Sequence, residues 1–459
     1  MSLLSAIQTS AGALRTFSQA LSADQQNVAN SATPGYAAVR ALILPLGSGS
    51  HGGSDRVVLS STGDLGSDSQ VRDSQTRSGA SVATTSQLAQ INQLFDITGA
   101  SGILAALQGF STAFSNASVT PNDPTLRGIA LSSAAAVSTA FNSVAASLDA
   151  QQKQIDSETA STVAQINSLG RKISSFNAQT QSNSQFDPAV DSQLRSSLDD
   201  LSTLVPINVS NNANGTVAVL VGGRLPLVEG DQAFAISVNA SAPEGSQLSS
   251  SGGGASPVPV SGQLGALVGV RNQTIASIIG GNGKTGSLNV LAKGFAARVN
   301  TLLTSGVTPS GSVGTPLYIY DQANDANVAR TLGVDPSVSN DRLALASAGA
   351  GGLSNGVANQ LAQLAGSSQP LDQIGGLSPQ GFFSAIASGI GQEYADATQQ
   401  SSTDQSSVTA AVANRKAASG VSLDQEAVNI TSLQRAYEAA AKIVSVLDQL
   451  TNDEVNLIK

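Results

Sequence analysis

Ile7, Leu14, Leu21 and Val28 recur every seven residues, with Leu3 and Phe17 at the companion positions. A seven-residue apolar repeat makes one narrow stripe on a helix, which calls for a partner helix rather than a broad core. The pattern stops at Thr33-Pro34-Gly35-Tyr36, where proline disfavours a helical residue before it and glycine relaxes the backbone. The far end repeats the arrangement. Leu423, Ile430, Tyr437 and Val444 lie seven apart, Leu433, Ala440 and Leu447 take the companion positions, and Ser422 follows Gly420 as a candidate cap. The two seams could each pack on their own domain. Two narrow stripes at opposite ends of one chain favour pairing with each other.

Between the ends the period changes several times. Residues 47–54, GSGSHGGS, read as a loop, and 57–65 allow a short hairpin. Residues 86–205 read as mostly helical, opening on Leu88, Ile91 and Phe95, continuing through Leu104, Leu107, Phe110 and Phe114, and running on from 124 to 177. After Pro206 the period becomes two, at Val217, Val219 and Val221 and again at Phe234, Ile236 and Val238, with Asn214-Gly215 as a turn before the first strand. Residues 245–257 read as a Gly/Ser linker, and 263–304 as helix interrupted by GGNGKTG. Residues 306–378 are rich in Gly, Ser and Pro with a strand candidate at 317–320, and helix returns over 380–416. The order predicts an α+β multidomain chain with three units. Residues 1–45 and 420–459 form a terminal helical coiled-coil domain. Residues 46–205, 261–305 and 379–419 form a helical-bundle domain with a short hairpin. Residues 206–260 and 306–378 form an inserted β-rich or irregular outer domain.

Composition sharpens this picture. The 459 residues leave room for several domains, and aromatics are only 3%, so long, lightly packed helices with Ala-rich seams are expected rather than a dense aromatic core. A net charge of −9 without a basic cluster argues against nucleic acid and against an anionic membrane surface. The absence of Cys excludes disulfide and thiol chemistry. The opening MSLLSAIQTSAGALRTFSQALS lacks the basic and continuous apolar regions of a secretory signal. No apolar run stands out as reaching the ~20 residues of a membrane span, so no membrane insertion is expected.

Candidate chemistry is sparse. His51, the one histidine, sits in a Gly/Ser loop with no visible orienting partner and cannot alone form a metal site. GGNGKTG (280–286) has Ile278 where a phosphate loop needs its first glycine, and a helical run precedes it, so it reads as a turn. The acidic pairs Asp199-Asp200 and Asp453-Glu454 lie on helical patterns, where adjacent residues point apart, and read as solvated faces. No catalytic, cofactor or metal residue is assigned.

At the two ends the sequence resembles a known family. Ala29-Asn30 followed by Thr33-Pro34-Gly35-Tyr36 resembles the A-N-x-x-T-P-G-Y signature of flagellar rod, hook and hook-associated proteins. Ser419, Gly420, Val421, Leu423, Asp424 and Glu426 resemble their S-G-V-x-L-D-x-E, and Gln434, Ala436, Tyr437, Ala439, Ala441 and Lys442 the Q-x-A-Y-x-A-x-A-K that follows. The interior stretches 93–114, 163–179, 198–231 and 261–275 are similar to the hook-associated family of the hook–filament junction, with Leu194-Arg195-Ser196 departing from its D-x-R-D.

The resemblance implies a non-enzymatic, ring-forming adaptor between hook and filament. It would be exported unfolded by the flagellar type III apparatus and located outside the cell. Partners implied are further copies of the chain, the hook protein, the next junction protein toward the filament, and an export chaperone on the C-terminal helix near 427–450. By the same resemblance the 29–36 turn directs the chain outward from an inner helical layer, with Pro34 stopping the helix, Gly35 permitting the turn and Tyr36 anchoring it. Another axial protein of hook or distal rod, or a secreted helical protein without a structural role, are the alternatives.

Overall fold

α1 (Leu3–Asn30) opens the fold and leads through the 31–38 turn into a hairpin of β1 (Val39–Leu44) and β2 (Arg56–Ser61). The computed structural model describes residues 3–44, 56–96, 101–182, 186–239, 246–259, 261–281, 283–349 and 354–457. The His51 loop and Asn282 lie outside the described residues.

Four helices follow: α2 (Leu65–Gln93), α3 (Gly102–Val119), α4 (Pro124–Ser182) and α5 (Pro188–Leu204). Next come β3 (Ile207–Asn211), β4 (Val217–Val221), β5 (Leu225–Glu229) and β6 (Gln232–Ala233), an antiparallel meander. A second antiparallel sheet joins β7 (Ile236–Asn239), β8 (Gln247–Ser250) and β9 (Ala255–Pro257). α6 (Gly262–Gly269) continues through a π-helical segment, Val270–Ile275, into α7 (Ala276–Ile279), then α8 (Ser287–Thr304). Two short strand pairs surround α9 (Val328–Thr331). They join β10 (Gly306–Val307) to β13 (Ala346–Ser347) and β11 (Tyr318–Ile319) to β12 (Gly333–Val334). The chain ends in α10 (Gly356–Leu364), α11 (Pro379–Ser419) and α12 (Leu423–Leu457).

α4 has 59 residues and so spans about 88 Å. By length and composition one stretch of it could cross a membrane, contrary to the sequence expectation. Its apolar stripe, Ala130, Ala134, Val137, Phe141, Val144 and Leu148, is instead buried in a core with α3, α8, α10 and α11. That core also gathers the scarce aromatics. Phe110 lies 4.3 Å from Phe114 and 5.2 Å from Phe295 between ring centres, and the Tyr318 hydroxyl donates to the Ala134 carbonyl at 3.0 Å. The expectation of alanine seams without an aromatic core therefore fails here: few rings suffice when they converge on one place.

The second half of α4 forms another core. Ile166, Ile173 and Phe176 meet Leu198, Leu201 and Leu204 of α5 and Val219, Val221 and Leu227 of the meander. Segments 206–260 and 306–378, grouped by sequence, thus lie in different places. The second packs Leu317, Val328, Leu343 and Leu361 into the aromatic core. The Gly/Ser linker is also corrected. Residues 247–257 form a hairpin in which Leu248 is buried, Ser249 and Ser237 pair their hydroxyls at 2.8 Å, and Ser250 Oγ donates to Pro226 O at 2.6 Å. Serine here supplies hydrogen bonds rather than flexibility.

One device recurs where helices meet strands. Asn27, Asn167, Asn177 and Asn300 each accept the backbone N–H and donate to the carbonyl of one residue: Val39, Ile236, Val217 and Tyr318 respectively, at 2.7–2.9 Å. A side-chain amide carries the donor and acceptor of a peptide group, so it takes the place of a neighbouring strand and satisfies buried backbone that would otherwise be costly.

Candidate functional site

α1 and α12 pair side by side, as the matching seams suggested. On α12 most of the expected seam faces inward, whereas on α1 the deepest burial lies beside the expected seam. On α1 the buried residues are Thr16, Ala20, Ala23, Asp24 and Asn27, whereas Leu3, Ile7, Leu14, Phe17 and Leu21 are half-buried and Val28 is exposed. On α12, Ala440 is buried and Ile430, Leu433, Ala436, Val444 and Leu447 are half-buried, while Leu423 and Tyr437 face outward. The small residues are the most deeply buried, and most of the larger side chains are half-buried beside them.

Polar residues occupy the end of this interface. Glu426 is only 7% exposed and its Oε1 accepts from Asn27 Nδ2 at 3.2 Å. The Asn27 amide also clasps Val39, and its Oδ1 accepts from the Tyr36 hydroxyl at 2.9 Å. Burial and the Glu426 charge push the Tyr36 hydroxyl up to about 12. Burial, together with the charge of Glu426 beside it, pushes the Asp24 carboxyl up to about 6. Asn27 and Asp24 were missed from sequence, although a signal existed. Asp24 lies seven residues after Phe17, and Glu426 seven before Leu433, so both interrupt their stripes at companion positions with a carboxyl group.

Asn30, Thr33, Gly35 and Tyr36 build the turn together with their neighbours. α1 ends at Asn30, before Pro34, because Thr33 N bonds to Asn30 O at 2.9 Å, Asn30 Nδ2 to Gln26 O and Ser31 Oγ to Val28 O. Ala29, Thr33 and Pro34 are exposed. The Pro34 carbonyl accepts from Ser192 Oγ at 3.3 Å. Gly35 has φ +75°, and a Cβ there would lie 2.9 Å from Ser192 O, so glycine is required twice over. Tyr36 anchors the turn as expected from residue type, through its hydroxyl.

The C-terminal motif meets the same joint. Ala38 N donates to Ser419 O at 2.9 Å, and Thr62 Oγ1 reaches both Ala38 O and Ser419 O. A Cβ on Gly420 would meet Lys416 O at 2.3 Å. Val421 is half-buried, and Asp424 and Gln434 are exposed. The joint encloses a cleft of about 430 Å³ lined by Pro34, Tyr36, Asp68, Arg195, Arg415 and Val421 among others.

Beneath the cleft lies an ionic cluster. Arg195 pairs with Asp68 and, at 3.0 Å, with Asp191; Arg415 pairs with Asp199 at 2.7 Å and lies 3.6 Å from Asp68. Asp199 is therefore not on a solvated face. It is buried, and that burial holds its carboxyl above the usual value despite Arg415. Asp200 stays exposed.

The arrangement consists of packing contacts, backbone hydrogen bonds and ion pairs. Among the described residues no group of three or more His, Cys, Asp or Glu could hold a metal ion. Gly280, Gly281 and residues 283–286 lie between α7 and α8, where a Cβ on Gly286 would lie 2.3 Å from Gly280 N. A G-x-S-x-G spacing occurs at 352–356. The Ser354 hydroxyl accepts from Gly356 N at 3.3 Å at the start of α10, a helix-start role.

Comparison with known proteins agrees with this architecture. The family model described as "Flagellar hook-associated protein FlgK helical domain" matches residues 88–318, half of the chain, and "Flagellar basal body rod FlgEFG protein C-terminal" matches 417–457. Flagellar hook-associated protein 1 of Bacillus subtilis (strain 168) is 25% identical, over 98% of this chain and 97% of its own. The flagellar hook junction protein FlgK from Burkholderia pseudomallei has the same fold, with a TM-score of 0.63 over 76% of this chain and 99% of its own, at 15% identity. With a helical middle, a helix pair made from both ends and matches along its length, the chain belongs to the flagellar hook-associated protein FlgK family.

Proposed function

We propose that this protein is a ring-forming adaptor that joins the flagellar hook to the filament, acting by packing and not by catalysis. Its family is one of structural flagellar proteins. The observation that carries the reading is the terminal helix pair. Its inner face is small and polar, while Val428, Ile443, Val446 and Leu450 of α12 and Val28 of α1 stand exposed. Such apolar faces on a narrow pair gain stability when neighbouring subunits cover them. In this reading the helix pair forms the inner layer of the ring, the α2–α5 and α11 body the next, and the 206–260 sheets the outside. The partners are further copies, the hook protein on one side and the next junction protein on the other. Export precedes assembly, through the flagellar type III apparatus, with a chaperone holding about residues 427–450.

A clean deletion strain tests the role. Hooks without filaments, with flagellin lost to the medium, are expected by electron microscopy and blotting. Absent hooks would place the protein in rod or hook, and normal filaments would remove it from the axis.

The isolated pair is short of buried apolar surface, so both ends open readily in the free monomer at neutral pH and order on assembly. Limited proteolysis should cut first within α1 and α12 and leave the α2–α11 body intact; ends as resistant as the body would refute this.

A further inference from the structure

The polar end of the terminal helix pair places two carboxyl groups against each other. Asp24 on α1 is 8% exposed and Glu426 on α12 is 7% exposed. Asp24 lies three residues before Asn27, on the same face of α1, and Asn27 Nδ2 donates to Glu426 Oε1 at 3.2 Å, so the two buried carboxyl groups face each other across the helix pair. Glu426 Oε1 is satisfied by Asn27, but Glu426 Oε2 is buried and receives no hydrogen bond. A carboxylate can only accept. Two ionised carboxylates in this position would repel and leave buried acceptors without donors, whereas one proton between them supplies the missing donor and removes half the charge.

We propose that Asp24, set against Glu426 across the α1–α12 interface, acts as a proton-operated clasp that closes the terminal helices in acid and loosens them at neutral pH.

The surroundings leave this pair uncompensated. From α12, the charge that faces Asp24 is that of Glu426, and among the described residues Asp24 forms no ion pair within 4.0 Å. From the turn, the Tyr36 hydroxyl is committed to Asn27 and carries a proton throughout the physiological range. From the hairpin, β1 presents the Val39 backbone, bound to Asn27. The direction of coupling follows. The paired state holds the Asp24 proton up to about pH 6, against 3.8 for the free carboxyl. The clasp's contribution is therefore fully present below about pH 4 and is lost as pH rises through about 6. Between those limits the paired-to-open ratio should fall on the order of 100-fold. The clasp does not depend on ring formation, so it stands or falls separately from the adaptor role.

The full chain has no cysteine, so two introduced ones report cleanly. Ser18→Cys on α1 and Ser432→Cys on α12 lie at exposed positions away from the clasp. Spin labels on these sites give the interhelix distance distribution in the monomer. A narrow distribution at pH 4.5 that broadens at pH 8 is expected for the wild-type clasp. Asp24→Asn places an amide donor beside Glu426 without a titrating proton and should stay narrow at both values. A wild-type distribution that does not change with pH, or an Asp24→Asn variant that broadens as the wild type does, would overturn the proposal. Far-ultraviolet circular dichroism of each variant separates clasp opening from loss of the fold.

Discussion

Replacing Arg195 by alanine is expected to lower the unfolding free energy by about 3–5 kcal/mol. Arg195 is the pivot of a cluster in which Asp68 is 3% exposed, and Asp68 Oδ1 already lacks a hydrogen-bond donor. Removing the guanidinium leaves Asp68 with the more distant Arg415, at 3.6 Å, and with the charge of Arg72 on its own helix. The cost comes chiefly from stranding a buried charge, not from losing a favourable pair, because the pair itself was formed at a large desolvation cost. This gives the prediction a second arm. Asp68→Asn added to Arg195→Ala removes the stranded charge and should recover part of the loss. Urea unfolding of the two single variants and the double variant measures it. Equal losses in Arg195→Ala and the double variant would place the whole effect in lost packing of the arginine stem. The same variant should loosen the terminal joint, since Gly35 rests on the backbone of Ser192 and Ser196 on either side of Arg195.

The second large effect is expected at Gly79. A Cβ there would lie 2.1 Å from the Thr203 carbonyl oxygen, where α2 crosses α5. Backbone cannot rotate out of the way as a side chain can, so the helices must separate. Gly79→Ala should cost about 3 kcal/mol net, although alanine is favoured by about 1 kcal/mol within a helix. Gly389 is the control. It is an exposed residue of α11 with nothing within 4 Å of its would-be Cβ. Gly389→Ala should therefore stabilise by up to about 1 kcal/mol. Thermal unfolding of both variants checks the opposite signs, and a harmless Gly79→Ala would mean that α2 and α5 are not held at this separation.

The residues behind these effects explain what could be read from the sequence. Sevenfold spacing announced the terminal helices, and alternation announced the meander through Val217, Val219 and Val221. The first half of α2 carried no such signal. Its buried face is Ser67, Asp68, Val71, Ser74, Thr76, Ser78, Gly79 and Ser81, so the helical period is there but is written mostly in small polar residues. These let α11 and α5 approach closely, which larger side chains would prevent. Asp68 and Arg195 stand 127 positions apart, and no local pattern links them. On α1 the deepest burial is hidden for a related reason. Leu14, Phe17 and Leu21 are the conspicuous residues, but Ala20, Ala23 and Asn27 are the most deeply buried.

The joint itself has a mechanical consequence. The terminal helix pair connects to the body by two stretches of chain, residues 31–38 and 420–422, which run past each other and are stitched together by Ala38 N on Ser419 O and by Thr62 on both carbonyls. One tether would let the pair spin freely about its own bonds. Two tethers fastened side by side behave as a strap rather than a thread: the strap can bend across its flat face, but twisting it stretches one edge against the other. The joint can therefore change its angle at low cost while still transmitting torque.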